Sequence, residues 1–177
     1  ISYAEDAYIS DVKIDGTSVR TSGADAGGYI NTGVNINLTV GQDFTVTVKR
    51  LASATYFYHI GVWFDWNDDG TFEDYEPLGT GNTSPTELTS GTITVPGSAD
   101  GKTLIMRVVL DYTDALTVKP CNTGGTGKST WGEAEDYNII VVSPPAITLG
   151  AAITGLDYVE GSGPSTSQSF SLLGSNM

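Results

Sequence analysis

The residues from Asp65 to Glu76 have the types and spacing of a calcium-binding loop. The segment reads Asp-Trp-Asn-Asp-Asp-Gly-Thr-Phe-Glu-Asp-Tyr-Glu and satisfies the pattern D-x-[DN]-x-[DN]-G-x5-E without a gap. Calcium prefers an all-oxygen shell of alternating side chains, one backbone carbonyl and a closing bidentate glutamate. The predicted ligands for Ca2+ are Asp65, Asn67, Asp69, Thr71 and Glu76. An acidic surface turn closed by Asx hydrogen bonds, without metal, is the alternative.

The chain before this loop predicts a β-strand, where a helix–loop–helix calcium site would need a helix. Residues 56–64 are aromatic and β-branched, and both alternating faces of the segment are largely apolar. This pattern is typical of a central strand that is covered on both sides. We therefore expect a calcium loop on a β scaffold, as in extracellular modules.

Composition and charge indicate which fold class and which binding partners to expect. The chain has 177 residues with 8 Lys and Arg against 21 Asp and Glu, which gives a formal charge of −13. Such a charge repels phosphate backbones, so nucleic acid is not an expected partner. The 22 glycines and 9 tyrosines favour an all-β protein with many turns. Since no apolar run has membrane-spanning length, we expect no membrane partner either.

Period-two stretches bounded by turn residues recur through residues 1–142 and predict an antiparallel β-sandwich, jelly-roll-like in character. Residues 143–145, Ser-Pro-Pro, read as a stiff linker. Residues 146–177 form a short β-rich C-terminal extension with too few apolar residues for a core of its own. The predicted strands are Tyr8–Ile14, Val34–Leu38, Asp43–Lys49, Tyr56–Phe64, Gly91–Val95, Thr103–Asp111 and Tyr137–Val142.

Two separated motifs give the first 142 residues a family resemblance. Residues 131–137 read Trp-Gly-Glu-Ala-Glu-Asp-Tyr, and residues 62–70 read Val-Trp-Phe-Asp-Trp-Asn-Asp-Asp-Gly. Together they resemble the GEVED domain of secreted, multidomain bacterial proteins, with Ala134 in place of the signature valine. The resemblance implies secretion to the extracellular space or cell surface and covalently linked neighbouring domains. Residues 146–177 resemble the truncated start of an immunoglobulin-like domain.

The acidic signature offers further candidate calcium ligands. On a strand entry, Glu133 and Glu135 point to one side and Asp136 to the other. Three carboxylates within four positions repel one another unless cations or donors compensate. If this segment lies beside the 65–76 loop, Glu133 and Glu135 can complete its calcium shell. The alternative is that both glutamates are solvated and that Asp136 caps a turn.

The sequence offers few residues for catalysis. His59 is the single histidine and lies in an apolar strand, where a sheet histidine with satisfied hydrogen bonds is more common than a general base. Cys121 is the single cysteine and has no base partner that the sequence identifies. We therefore expect no enzymatic activity from this chain.

Aromatic residues outside the core pattern favour a binding function. The candidates for stacking on sugar rings are Trp131, Tyr75, Tyr112 and Trp66, although each can also be a core residue. The expected function is a calcium-stabilised carbohydrate-binding accessory module of a secreted polysaccharide-degrading enzyme, with a neutral glycan as ligand. The alternatives are a calcium-stiffened structural spacer and a protein-binding or protease-associated module.

Overall fold

The computed structural model describes residues 7–25, 27–52, 58–72, 74–81, 86–111, 120, 132–150, 154, 158–161, 163–164, 169 and 171–175. Almost all regular structure in these residues is β, with one short 3-10 turn at Gly97–Ala99. The strands are β1 (Ala7–Ile14), β2 (Thr17–Thr21), β3 (Tyr29–Thr39), β4 (Asp43–Phe44), β5 (Val46–Ala52), β6 (Tyr58–Phe64), β7 (Asp74–Gly81), β8 (Thr86–Thr89), β9 (Ile93–Thr94), β10 (Thr103–Asp111), β11 (Glu133–Val142), β12 (Ala146–Leu149), β13 (Tyr158–Val159), β14 (Gly163–Pro164) and β15 (Leu172–Ser175).

The chain divides into two compact units, Ile1–Val142 and Ser143–Met177. In the first unit, four strands form sheet A in the order β2-β1-β5-β8, and five form sheet B in the order β3-β11-β10-β6-β7. All pairs are antiparallel except β3 with β11, which is parallel. The predicted all-β sandwich is therefore confirmed.

The core of the first unit lies between the two sheets. Alternate residues of β1 and β5 in sheet A and of β6, β10 and β11 in sheet B belong to one buried apolar cluster. Phe44 meets Phe64 edge-on, with 5.9 Å between ring centroids. Burial of these side chains is the main stabilising contribution to the sandwich, at roughly 25 cal/mol per Å² of apolar area.

A β-bulge in β1 matters for the site described below. The register with β5 shifts between Ile9 and Asp11, which leaves Ser10 as the extra residue. Buried positions accordingly change from Ala7 and Ile9 to Val12 and Ile14 along the strand. A bulge breaks the ladder locally and redirects backbone groups. Here the N–H of Ile9 accordingly finds its acceptor on a side chain, not on β5.

Several predicted strands have different boundaries in the structure: the strand predicted at Val34–Leu38 is the longer β3, and the one predicted at Gly91–Val95 is the shorter β9. Two further differences bear on the site. The strand predicted over residues 43–49 is interrupted at Thr45, whose N–H donates to Oδ1 of Asp15 at 2.9 Å. As a result, β4 pairs with β9 while β5 joins sheet A. The last strand of the first unit was predicted to begin at Tyr137, but β11 begins at Glu133, so the acidic signature lies within the strand.

The second unit contains two short antiparallel pairs, β12 with β15 and β13 with β14. Ile147, Leu172 and Leu173 of this unit are more than half exposed, at 64%, 56% and 68%. Two-stranded sheets are marginal by themselves, since one apolar face stays in water. Across the part of the chain that the structure describes, no helix has the length and apolarity that a membrane crossing requires.

Candidate functional site

The first half of the 65–76 loop is closed by hydrogen bonds to carboxylate and amide oxygens. The N–H of Asp65 still donates to the carbonyl of Ile105 in β10 at 3.1 Å, so the loop starts from a fixed strand end. The buried carboxylate of Asp65 accepts the N–H groups of Asp69 (3.2 Å) and Gly70 (3.0 Å). Oδ1 of Asn67 also accepts the N–H of Asp69, at 2.9 Å. The backbone therefore curls around these side chains.

Asp69 completes this group of oxygens. Its Oδ1 accepts the N–H of Thr71 at 2.8 Å, and its Oδ2 accepts Nδ2 of Asn67 at 3.2 Å. The backbone hydrogen bond from Thr71 is the main reason why the pKa of Asp69 lies below its ordinary value. Gly70 and Asp68 have φ angles of 83° and 64°, which provide the sharp turn. Three oxygen-bearing side chains thus converge, and this hard donor set fits Ca2+.

The second half of the loop returns to sheet B as a hairpin. β7 runs antiparallel to β6, and the backbone of Glu76 lies opposite Val62. The side chain of Glu76, the predicted bidentate ligand, lies outside the described part of the structure. At the rim, Nζ of Lys102 donates to the carbonyl of Asn67 at 3.2 Å. The loop therefore connects two strands of sheet B, of which the first was predicted from the sequence and the second, β7, was not.

Trp66 belongs to the core, which is the alternative that the sequence left open beside a role in ligand binding. Its side chain is buried and stacks on Phe64, with ring centroids 4.7 Å apart and planes 3° from parallel. A ring that is covered in this way has no free face for a sugar. The burial instead anchors the second position of the 65–76 loop to the sandwich.

The other three predicted ligand-binding aromatics are not placed by the structure. Trp131 and Tyr112 lie outside the described residues. The backbone of Tyr75 lies in β7 opposite Trp63, but its side chain lies outside the described part. Their role in binding stays a prediction.

Glu133 opens β11 and holds two backbone segments together. The carboxylate is fully buried; its Oε2 accepts the N–H of Ile9 at 2.7 Å, and its Oε1 accepts the N–H of Asp25 at 2.6 Å. The first donor is the one freed by the bulge in β1. Burial raises the pKa of Glu133 to about 7, against the opposing effect of the two N–H donors.

Glu135 points to the same side as Glu133 and pairs with Arg20. The guanidinium of Arg20 contacts Glu135 through Nη1 and Asp25 through Nη2, the latter at 2.8 Å. The hydroxyl of Tyr137 also donates to Glu135. Since Glu135 is fully buried, Arg20 supplies the charge that compensates it.

Asp136 points to the opposite face of sheet B and pairs with Arg107. Nε and Nη2 of Arg107 donate to its two carboxylate oxygens at 2.6 and 2.7 Å, in the two-pronged geometry of a strong ion pair. The hydroxyl of Tyr29 adds a third bond, at 2.9 Å. The remaining Nη1 of Arg107 donates to the carbonyl of Pro120 at 3.1 Å. The acidic signature thus connects β11 to other segments on both faces.

The residues of the predicted calcium loop and the acidic signature occur in the expected order in sheet B, where the loop follows β6 and the signature lies in β11, with β10 between these two strands. Residues 59–140 match the GEVED domain. The matched range runs from β6 through β11 and includes both motifs on which the resemblance was based. In this GEVED region, Ala134 is buried in the outer face of sheet B beside Trp63 and Val109.

Two solved structures are among the matches to the chain. The CARDB domain of the PF1109 protein in complex with di-metal ions, from Pyrococcus furiosus, is 14% identical, with 61% of this chain and 86% of that chain covered and a TM-score of 0.36. A Niemann-Pick type C2 protein from the Japanese carpenter ant is 8% identical, with 77% and 92% covered and a TM-score of 0.39. A comparison with curated proteins gives no match.

The GEVED glutamates do not complete the shell of the 65–76 loop, which corrects the expectation for Glu133 and Glu135. Along β10, Asp65 bonds to Ile105, whereas Glu135 and Glu133 lie opposite Val108 and Leu110. At about 3.3 Å per residue, these positions are roughly 10 and 17 Å from the loop along the strand. Both carboxylates are instead held by donors from β1, β2 and residues 22–25.

The same glutamates form a second group of oxygens with Asp25. Ligand atoms of Asp25, Glu133 and Glu135 lie within 4.8 Å of one another, so this buried acidic triad could hold a metal ion. Arg20 already provides a positive charge to two of its members. A metal ion there would compete with the guanidinium for the same carboxylate oxygens.

Sequence reasoning missed the two arginines that pair with the signature. Arg20 and Arg107 are two of only 8 basic residues in a chain with 21 acidic ones. Arg107 could have been found, because a cation within the apolar run of residues 103–111 needs a buried acid nearby. Arg20 and Asp25 carry no comparable signal, since their proximity to β11 depends on tertiary structure.

Proposed function

We propose that the first unit is a non-catalytic accessory module whose fold is stabilised by a calcium ion in the 65–76 loop. The observation that carries the proposal is the convergence of Asp65, Asn67 and Asp69. The first two side chains accept the same backbone N–H, that of Asp69, and the side chain of Asn67 donates to that of Asp69. Thr71 and Glu76 follow at the pattern's seventh and twelfth positions. Binding to this loop adds stability by mass action, because the unfolded chain lacks the arrangement.

Calcium should raise the thermal midpoint of the wild-type protein relative to the same protein in chelator. A ligand at about 100 times its Kd adds about 2.7 kcal/mol. For a chain of this size, that corresponds to a rise in Tm of roughly 5–10 °C. The measurement is a calcium titration followed by differential scanning calorimetry, in the millimolar range that extracellular calcium modules require.

Two neighbouring aspartates provide a matched pair of variants. Asp69→Ala removes the side-chain oxygens of a predicted ligand and should abolish the calcium-dependent rise. Asp68→Asn makes the same charge change at a position that the loop pattern does not use, and asparagine tolerates its φ of 64°. The proposed site would be refuted if both variants changed the calcium-dependent rise in Tm equally. It would also be refuted if calcium did not change the Tm of the wild-type protein.

A neutral polysaccharide is the ligand that we propose for this module, in a secreted polysaccharide-degrading protein with covalently linked neighbouring domains. The charge of −13 disfavours anionic glycans and nucleic acid. The pairing register of β10 with β11 supports a common location for two candidate sugar-binding residues, Tyr112 and Trp131. β10 ends at Asp111 beside the start of β11, with Leu110 opposite Glu133. In sequence, Tyr112 directly follows the end of β10, and Trp131 stands two residues before the start of β11.

Trp131→Ala should abolish retention of the protein on the glycan that it binds. Stacking of an aromatic ring on a sugar is worth a large share of such an interaction, so the loss should exceed tenfold in affinity. The measurement is depletion from solution by insoluble polysaccharides and affinity electrophoresis with soluble ones. Tyr8→Ala, which removes a half-buried aromatic of β1, is the control. Absence of retention on every neutral glycan would contradict the carbohydrate proposal.

The second candidate function is a calcium-stiffened structural spacer or a protein-binding, protease-associated module. The burial of Trp66 favours this alternative, because it removes one of four predicted sugar-binding aromatics. We also propose that residues 146–177 begin an immunoglobulin-like domain. The exposed side chains of Ile147, Leu172 and Leu173 support this, since further strands would cover them. A calcium-dependent melt without glycan retention would favour the spacer.

A further inference from the structure

Arg107 lies between two aromatic rings on the outer face of sheet B. Its guanidinium carbon is 5.5 Å from the ring centroid of Tyr29 and 4.8 Å from that of Phe72. The side chain is only 12% exposed. A guanidinium that is held over aromatic faces with little water around it makes a favourable cation–π contact.

Asp136 fixes the orientation of this guanidinium. Two parallel bonds of 2.6 and 2.7 Å hold the plane of Arg107, and the hydroxyl of Tyr29 holds Asp136 at 2.9 Å. A planar fork in such a pair has little freedom to rotate. The position that the ring of Phe72 can take on Arg107 is therefore set by the acidic signature.

Phe72 is itself part of the calcium loop. It directly follows Thr71, whose carbonyl is the predicted backbone ligand and whose N–H is bonded to Asp69 at 2.8 Å. A displacement of the Phe72 backbone turns the peptide that links it to Thr71 and moves that carbonyl. The loop thus has a mechanical contact with the signature through one ring and one guanidinium.

We propose that Arg107 is a positioning residue for calcium: the Arg107–Asp136 pair sets the affinity of the 65–76 loop through its contact with Phe72. The inference rests on the proposed calcium function and adds a coupling that the ligand pattern does not contain. Coupling of this kind is reciprocal. Calcium should strengthen the Arg107–Asp136 pair by the same factor by which the pair strengthens calcium binding.

A purely structural role for Arg107 predicts a different result. An ion pair that only stabilises the outer face lowers the stability of the calcium-free protein when it is broken, and it leaves the calcium Kd of the folded protein unchanged. The calcium Kd, measured well below the melting temperature, separates the two roles.

The experiment is a double-mutant cycle on the calcium Kd, read from the amide resonance of Gly70 so that only the loop contributes. Arg107→Lys keeps the charge but loses the fork and the flat face, while Phe72→Leu keeps apolar bulk but loses the ring. Each single variant should raise Kd about tenfold, equivalent to about 1.4 kcal/mol. The double variant should also be about tenfold weaker, because both changes break one connection.

Arg20→Lys is the matched control, since it makes the same change at an ion pair on the other face of β11 and should leave the Kd of the loop unchanged. The Nε–H of Arg107 provides an independent readout, with exchange expected to slow about tenfold in calcium. Unchanged Kd values in both single variants, or a hundredfold loss in the double, would overturn the coupling and leave the calcium site intact. Absence of a calcium-dependent Gly70 shift in the wild type would overturn both proposals.

Discussion

Replacing Arg20 with methionine should lower the free energy of unfolding by about 3–5 kcal/mol. The substitution keeps most of the apolar length but leaves the fully buried Glu135 and its neighbour Asp25 without their shared guanidinium. An uncompensated carboxylate in the interior is costly, because no water replaces the lost partner. Equilibrium unfolding in guanidinium chloride, with chelator present at neutral pH, measures the change.

Two further variants isolate the charge effect from lost packing. Adding Glu135→Gln to Arg20→Met should recover most of the loss, since the buried charge then disappears with its partner. Lys13→Met breaks the exposed pair with Glu87, at 3.0 Å, and should change stability far less because water screens it. A double variant as unstable as Arg20→Met alone would show that packing, not charge, explains the loss.

The sequence predicted the sandwich well because the relevant signals are local. In residues 103–111, Leu104, Met106, Val108 and Leu110 alternate with other residues and all four lie in the core, as predicted. The predicted bounds of this strand are those of β10. The loop pattern at 65–76 likewise depends on spacing within twelve residues. Hydrophobic period and ligand spacing are both visible without tertiary information.

Long-range partners could not be predicted in the same way. Burial of Glu133 depends on the N–H of Ile9, which lies 124 residues earlier and is freed by a bulge. The sequence pattern places three acids at a polar strand entry, yet the hydrogen-bond donors to their carboxylates come from distant segments. These segments are β1, β2, residues 22–25, β3 and β10. The sequence also left the role of Trp66 open between the core and ligand binding, and its stacking on Phe64 is evident only from the structure.

The acidic residues of β11 make different stabilising contacts on the two faces of the strand. On the inner face, Glu133 and Glu135 accept hydrogen bonds from β1, Arg20 and residues 22–25. On the outer face, Asp136 contacts the 65–76 loop, the proposed calcium site, through Arg107 and Phe72. Chelator should therefore perturb the outer face first, whereas changes in pH should act mainly through the inner one.

Stability should fall by about 3 kcal/mol through Glu133 as the pH rises from 4.5 to 7. Burial raises the pKa of this carboxyl from an ordinary 4.5 to about 7 in the folded protein. Between these values the folded state holds a proton that the unfolded state has lost, so raising the pH favours unfolding. The contribution is fully present below pH 4.5 and is lost once the pH exceeds about 7.

The wild-type protein and Glu133→Gln should be compared by denaturant unfolding at several pH values from 5 to 8, with chelator present. Glutamine is neutral throughout, and its single acceptor oxygen can serve only one of the N–H groups of Ile9 and Asp25. We therefore expect the wild-type protein to be the more stable one at pH 5 and to lose that advantage towards pH 8. Glu87→Gln, at an exposed carboxylate, controls for the change in net charge. Parallel stability curves for wild type and Glu133→Gln would mean that Glu133 stays ionised across this range, held by its two backbone donors.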